Sequence, residues 1–600
     1  MPLTTNKKSV MFAQNTQNNF TLKAYQGDAK TLLAFDLPRA KAKQLAGFTI
    51  AVQPEGQQAY YLLNKLSFDN PAIHTQNKVV SANSTLNSPI QKFRWLHVPG
   101  NFHQNGNPFF GNYTYIVTPR YFNGDNSLLP INNALSVEVK ITVQPFTKGK
   151  TTIGFTRGFV QSQAFAHQFG VNALFKPPHY DLSFDTSAKA GINPNGQAYS
   201  FADEYAWSGY TARQIIFDLI DEIKKDPSLT IDVFAYDFNE PDIINDFLLL
   251  AKEKRIRIIL DNASLHHNGA GTKPEDKFEQ AFRAACGNQP DNFIKRGHFN
   301  RYQHNKVFII NKNSNPTKVL TGSTNFSVTG LYVNSNHLLV FDNAVVAQYY
   351  AQVFNEAWND NLNNKIFSQS TIATQIYTVK QSGIPDMDIS FSPHSDVFSL
   401  QRLNSISNRI NAEKSSVFFA VMDTDPTVKG PIAQTLIDLH QKQTVFSYGI
   451  TDSQTDIFLY KPDSGSGIKV TGLPKKVLLP PPFDIQKSIT IGHQVHHKFI
   501  VCGFNTANAI VWCGSSNFAE GGENENGDNL IAIRDQDIAT VFTIEALSLV
   551  DHFLFLDKYR IGTGYKNNKP PAMFLVGNDS WSQKYYDAKD MHYQDRILFR

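Results

Sequence analysis

Between residues 20 and 145, apolar positions alternate with polar ones in short runs: 48–52, 60–66, 92–97, 113–118 and 137–143. Gly, Pro and Asn punctuate the intervals. A period of two over runs of this length predicts strands with one buried face, and their number and spacing predict a two-sheet β-sandwich. Trp95 in a middle run and Tyr113 and Tyr115 in a later one are the aromatics expected to pack between the sheets.

After about residue 150 the period changes. Ile216, Leu219, Ile220 and Ile223 mark one helix face, 229–236 is an apolar strand, 242–254 a second helix and 256–260 a second strand. Leu400, Leu403, Ile406 and Ile410 open another round, followed by strand 417–421 and helix 432–441. The order recurs after roughly 190 residues, too long for a solenoid unit and suited to two duplicated halves of one α/β domain. The Asn-, Gln-, Ser- and Thr-rich stretch 361–387 reads as their connection. The expected organisation is a β-sandwich over 1–148, a first α/β half over 149–370 and a second over 371–600.

Each half ends in the same motif. The first reads His304-Asn305-Lys306, an apolar strand, a turn, a second strand and Gly322-Ser323-Thr324-Asn325; the second reads His496-His497-Lys498, then Gly514-Ser515-Ser516-Asn517. The interval from Lys306 to Asn325 equals that from Lys498 to Asn517. A second interval repeats as well: Asn336 follows His304 at the same distance along the chain as Asp528 follows His496. Alternation along a strand projects His304 with Lys306, and His496 with Lys498, to one face and Asn305 and His497 to the other. Facing halves would gather two imidazoles, two ammonium groups and two amides about one point, a set suited to a phosphodiester.

This pattern resembles the phospholipase D superfamily, whose signature is His-x-Lys followed by Gly-Ser-x-Asn once per half. The resemblance covers roughly residues 150–600 and extends to Phe234-Ala235-Tyr236-Asp237, Ile258-Ile259-Leu260-Asp261 and Gly330-Leu331 leading to Asn334. The first-unit pattern is similar to fibronectin type III or immunoglobulin-like domains. The resemblance implies an α/β fold of pseudo-two-fold α/β/α halves and a two-step route without metal or cofactor. One imidazole attacks phosphorus to form a phosphohistidine, and the other protonates the leaving oxygen and then activates water. Lys306, Lys498, Asn325 and Asn517 would hold the non-bridging oxygens, with Ser323 and Ser515 in support. Asn336 and Asp528 would orient the imidazoles. The expectation is that Asp528 charges His496 as the acid, while Asn336 keeps His304 neutral as the nucleophile. The Asp usual five residues after the motif Lys is Asn311 in one copy and Gly503 in the other, as in tyrosyl-DNA phosphodiesterases, which also lack it.

Composition narrows the substrate. Fifty-six Lys and Arg against 52 Asp and Glu give a net +4, without the basic stripe of a dedicated duplex binder. Three cysteines, Cys286, Cys502 and Cys513, form no ligand cluster and are expected as small hydrophobes, with Cys502 and Cys513 near each other in a hairpin. No signal core opens the chain and no apolar run of about 18 residues occurs, so a cytoplasmic or secreted protein without a membrane span is expected. Aromatics make up 12% of residues. The apolar runs 108–110 and 478–483 suit acyl chains or peripheral contact with a membrane. A glycerophospholipid, its head group hydrolysed or transferred to an alcohol, is the first substrate reading. Nucleic-acid end processing, with bases stacked on aromatics, is the second. A non-catalytic binding protein on the same scaffold is the third. His497 is expected to be structural, and His103, His266 and His267 loop residues. Glu520, Glu523 and Glu525 are expected to form a solvated acidic loop gating entry, and 157–162 an entrance or packing loop.

Overall fold

A computed structural model describes residues 11–100, 104, 107–158, 162–170, 172–422, 430–439, 445–451, 495–563 and 574–600. His103 and the apolar run 478–483 lie outside them, as do 159–161 of the expected entrance loop. The described residues divide into two units: those up to Pro145 with those from Asp557 onward, and those between.

The first unit is a sandwich of two four-stranded antiparallel sheets. One comprises β1 (Phe12–Gln17), β2 (Phe20–Gln26), β3 (Thr31–Asp36) and β6 (Arg94–His97). The other has the order β5 (Tyr60–Tyr61), β4 (Leu45–Pro54), β7 (Gly111–Tyr121), β8 (Val137–Val143). In β8 the odd positions Val137, Val139, Ile141 and Val143 are buried while Glu138 and Lys140 face solvent, as a period of two requires. Tyr113 and Tyr115 lie in the core with Phe48 and Phe93, whereas Trp95 packs only at its margin. The central indole is Trp581: it stands 6.4 Å from Phe48, edge to face, and its Nε1–H donates to Leu45 O at 2.8 Å. Residues from Asp557 onward, placed by the sequence reading at the end of the second half, thus cluster with the sandwich. A buried Arg94–Asp595 pair at 2.8 Å joins the same two stretches.

The second unit holds two sheets of matching order. The first runs β15 (Ile294–Arg296), β14 (Ile256–Leu260), β13 (Leu229–Ala235), β17 (Val307–Lys312), β18 (Asn315–Gly322), β19 (His337–Phe341), β10 (Thr151–Phe155), β9 (Phe146–Lys148). The second runs β23 (Phe446–Thr451), β22 (Ser416–Val421), β24 (Lys498–Cys502), β25 (Ile510–Gly514), β26 (Asn526–Arg534), β21 (Asp386–Ser392), β20 (Tyr377–Val379). A separate short hairpin joins β11 (Lys189–Ile192) to β12 (Ala198–Ser200). β13 and β14 are parallel, as are β22 and β23, and the hairpins β17–β18 and β24–β25 are antiparallel. From β14 and β23 inward the two sheets therefore correspond strand for strand. β13 is almost wholly buried on both faces, the property of a parallel central strand covered by helices. Those helices include α1 (Phe201–Lys225), opened by a Ser200/Asp203 capping box, α2 (Pro241–Lys252), α3 (Pro274–Cys286) and α4 (Ala344–Asn359) in the first half. In the second half they include α5 (Asp396–Asn411), α6 (Pro431–Leu439), α7 (Glu520–Glu525) and α8 (Gln536–Thr563). Among the described residues no helix is long and apolar enough to cross a membrane.

Short crossings stitch the halves together. β16 (Tyr302–Gln303) pairs in parallel with β26, and Ser335 bridges Val495. Each crossing abuts a His-x-Lys motif.

Candidate active site

His304 to Lys306 precede β17 and His496 and His497 precede β24, with Lys498 its first residue, so the motifs enter their strands rather than lying within them. Each is anchored to the opposite half: His304 N donates to Gly527 O at 2.9 Å and His496 N to Ser335 O at 3.1 Å. The glycine of each Gly-Ser-x-Asn segment is required by the backbone. Gly322 (φ +147°) and Gly514 (φ +134°) sit where a Cβ would collide with the carbonyls of His337 and Asn529.

The imidazole partners are crossed relative to the sequence expectation. His304 Nδ1 lies 2.8 Å from Asp528 Oδ1, and His496 Nδ1 lies 2.8 Å from Asn336 Oδ1. The repeated interval is real, but facing halves turn the downstream strand of each toward the histidine of the other. The carboxylate thus serves His304, and the premise that it charges His496 is overturned. Asp528 can only accept, so Nδ1 of His304 carries the proton and Nε2 presents a lone pair. Asn336 spends its Nδ2 on Gly330 O (2.8 Å), so Oδ1 takes the Nδ1–H of His496.

Both lysines are buried and turn back on their motifs. Lys306 Nζ donates to His304 O and lies 4.5 Å from the Tyr236 ring centroid; Lys498 Nζ donates to His496 O at 2.9 Å and stands 3.3 Å from His496 Nε2. Burial pushes Lys306 down to about 7, against the pull of Asp528, Asp261 and Asp237. Lys498 is held well below the ordinary lysine range by burial first and the Lys306 ammonium second. Burial also lowers His304 to about 4 despite Asp528, so this ring is neutral at pH 7.

Asn325 and Asn517 each leave a buried Oδ1 without a hydrogen-bond partner among the described residues. Ser323 Oγ donates to Asn336 Oδ1 (2.8 Å) and Ser515 Oγ accepts from Asn529 N (3.0 Å), so both serines brace the histidine-orienting strands. Behind the site, the residues facing away from it also pair across the halves. Asn529 Nδ2 donates to Asn305 Oδ1 at 3.0 Å, and His337 and His497 stack with Nδ1 atoms 3.3 Å apart.

The missing motif acids have structural reasons. Asn311 Nδ2 donates to the buried Asp232, itself paired with Arg257 at 2.6 Å, so a carboxylate at 311 would face a like charge. Gly503 occupies a turn at φ +73°, where a side chain is strained and its Cβ would lie 2.8 Å from Thr506 Oγ1. Both positions are five residues beyond the motif lysine, roughly 16 Å along an extended strand.

Sequence reasoning missed several neighbours. Tyr236 packs edge-on against His304 (4.7 Å) and was visible only as part of a family phrase. Glu523, expected in a solvated loop, is buried, accepts from Ser516 Oγ and stands 3.6 Å from His394; Glu520 and Glu525 are exposed. Arg157 is buried over the Tyr210 ring at 3.4 Å. Cys502 opposes Ile510, and Cys513 lies on the other sheet face, so the two do not meet; both are buried. His266 is the loop residue expected, and it is buried against Asp261.

Residues 219–358 match the family model described as cardiolipin synthase, PLD-like domain. Over these residues, which include His304, Lys306 and Asn325, the chain resembles the phospholipase D superfamily. Among curated relatives, mitochondrial cardiolipin hydrolase of Xenopus tropicalis is 24% identical over 132 residues, 22% of this chain and 55% of the relative. The chain thus spans about half the length of the curated relatives it matches. Solved structures similar to this chain include phosphatidylserine synthase of Haemophilus influenzae Rd KW20 (12% identity, 57% of this chain and 85% of that one, TM-score 0.40). Yeast tyrosyl-DNA phosphodiesterase is another (11%, 59% and 88%, TM-score 0.30).

Proposed function

We propose that this phospholipase D-like protein is a phosphodiesterase that works through a phosphohistidine, with a glycerophospholipid as substrate. The observation that carries the reading is the crossed pair of imidazoles, each held at Nδ1 by the other half, beside two buried, charge-starved lysines. His304 Nε2 attacks phosphorus while the bond to the leaving oxygen breaks, and Asp528 stabilises the positive charge that appears on the ring. His496 enters the step as the imidazolium, its Nδ1–H held by Asn336; it passes the Nε2 proton to the leaving oxygen and, now neutral, takes one back at Nε2 from the water, or alcohol, that releases the phosphoryl group. Lys306, Lys498 and the amides of Asn325 and Asn517 bind the non-bridging oxygens as charge accumulates. The lysines supply the positive charge, so the two steps need no metal at phosphorus. His304 remains the nucleophile, but because a carboxylate supports it rather than because it lacks one. The lipid reading is supported by the described family, by the curated relative's name and by the near-neutral net charge.

The test offers cardiolipin or phosphatidylcholine vesicles with a primary alcohol, and single-stranded DNA in parallel. Formation of a phosphatidyl alcohol is expected; strand cleavage without it would move the substrate to nucleic acid. With acid quenching and a labelled substrate, His496→Asn is expected to accumulate the covalent adduct and His304→Asn to form none. Adduct in His304→Asn alone would reverse the roles.

A further inference from the structure

A second cluster lies beside the two-histidine site and is not used by it. Asp237 follows β13, His266 lies in the loop after β14, and Glu275 stands in the first turn of α3. One ligand atom from each lies within 4.8 Å of the others. Glu275 is 1% and His266 7% exposed. His266 Nδ1 donates to Asp261 Oδ2 at 2.8 Å. Asp261 is itself wholly buried and also accepts from Ala263 N (2.9 Å) and Gln303 N (2.7 Å). With its Nδ1–H committed to Asp261, His266 has Nε2 left for a ligand, and no hydrogen bond is directed to that atom among the described residues. Glu275 Oε1 accepts from Phe238 N at 2.9 Å, and Oε2 has no hydrogen-bond partner among them. Asp237 accepts only from neutral groups, Ser327 Oγ (2.6 Å) and Asn239 Nδ2 (3.2 Å). Among the described residues no Lys or Arg pairs with Asp237 or Glu275. Two carboxylates and one imidazole therefore converge, Glu275 and His266 buried and Asp237 partly exposed, with no Lys or Arg ion pair to either carboxylate among the described residues.

We propose that Asp237, His266 and Glu275 bind a divalent first-row transition-metal ion, Zn2+ or Mn2+ in class, at a site separate from the reacting phosphorus. One imidazole and two carboxylates form a borderline donor set that these ions favour over Mg2+ or Ca2+. The buried Asp261 behind His266 is the carboxylate–histidine arrangement that fixes a metal-binding tautomer. Around an ion with bonds of about 2.1 Å, ligand atoms stand roughly 3.4–4.2 Å apart, so binding draws the three groups together by up to about 1 Å. Because Asp261 also accepts from Gln303 N, the ion tightens the turn that delivers His304.

The full-length protein, stripped with chelator and desalted, is titrated calorimetrically with Zn2+ and separately with Mn2+, with Mg2+ and Ca2+ for comparison. One saturable site per chain for Zn2+ or Mn2+ is expected, with a rise in Tm that levels off at one equivalent and slower hydrogen exchange over residues 300–306. His266→Ala and Glu275→Gln should each weaken binding at least ten-fold, whereas His496→Asn should keep one equivalent. Asp237→Asn serves as the third variant should either of the first two fail to fold. Absence of saturable one-equivalent binding, or equal binding by the parent and every folded cluster variant, overturns the proposal. None of these readouts depends on the phosphodiesterase reading.

Discussion

Replacing Asp528 by Asn removes one charge from a wholly buried site and leaves the side-chain shape unchanged. Its Oδ1 accepts from His304 Nδ1 at 2.8 Å and its Oδ2 from Asn526 Nδ2 at 3.3 Å. An amide cannot serve both donors: either its NH2 faces the Nδ1–H, or it faces the Asn526 NH2. The larger loss is electrostatic. A carboxylate about 4 Å from the centre of an imidazolium contributes roughly 4 kcal/mol at an effective dielectric near 20. That charge exists on His304 only while phosphorus is being attacked or is bound, so the loss falls on kcat, by about a thousand-fold. The assay is single-turnover hydrolysis of a chromogenic phosphodiester, with Tm measured alongside to confirm folding. Asn336→Asp is the companion variant: it places a carboxylate at His496 and none at His304, and the Asp528→Asn/Asn336→Asp double mutant is expected to stay as slow as Asp528→Asn. Activity of Asp528→Asn within three-fold of the parent, at unchanged Tm, would refute the view that this carboxylate carries the nucleophile.

Lys306 is lowered to about 7 by burial, and a bound phosphate or tungstate restores its charge, so binding takes up a proton. Anion affinity should therefore fall as pH rises above about 7 and level off below it; calorimetry in buffers of different ionisation enthalpy reads the proton. Asn311→Asp sets a carboxylate against Asp232 and Gly503→Asp strains a left-handed turn. Each should lower stability by about 1–3 kcal/mol in denaturant titration without raising activity, although each restores the usual motif acid. Trp581→Ala empties the centre of the sandwich core and should cost about 3–5 kcal/mol in the transition of that unit, read by calorimetry.

Much of the second unit was legible along the chain because it depends on local repetition. A change from period two to helical period marks where sheets give way to α/β units, and two copies of one spacing mark the duplication. The glycine of each Gly-Ser-x-Asn segment is dictated by a carbonyl that leaves no room for a Cβ. What the chain could not disclose is which half serves which histidine. Asp528 follows His496 closely in sequence and stands far from His304, yet it bonds the distant one, because crossing strands rather than sequence intervals bring a partner within 2.8 Å. The same holds for Trp581, near the end of the chain, which returns to a core begun near its start, and for Asp237, His266 and Glu275, whose spacing matches no ligand pattern. Patterns of period and spacing report forces acting over one or two turns of chain. Charge pairing and packing between distant segments depend on separations in space that only the folded chain sets.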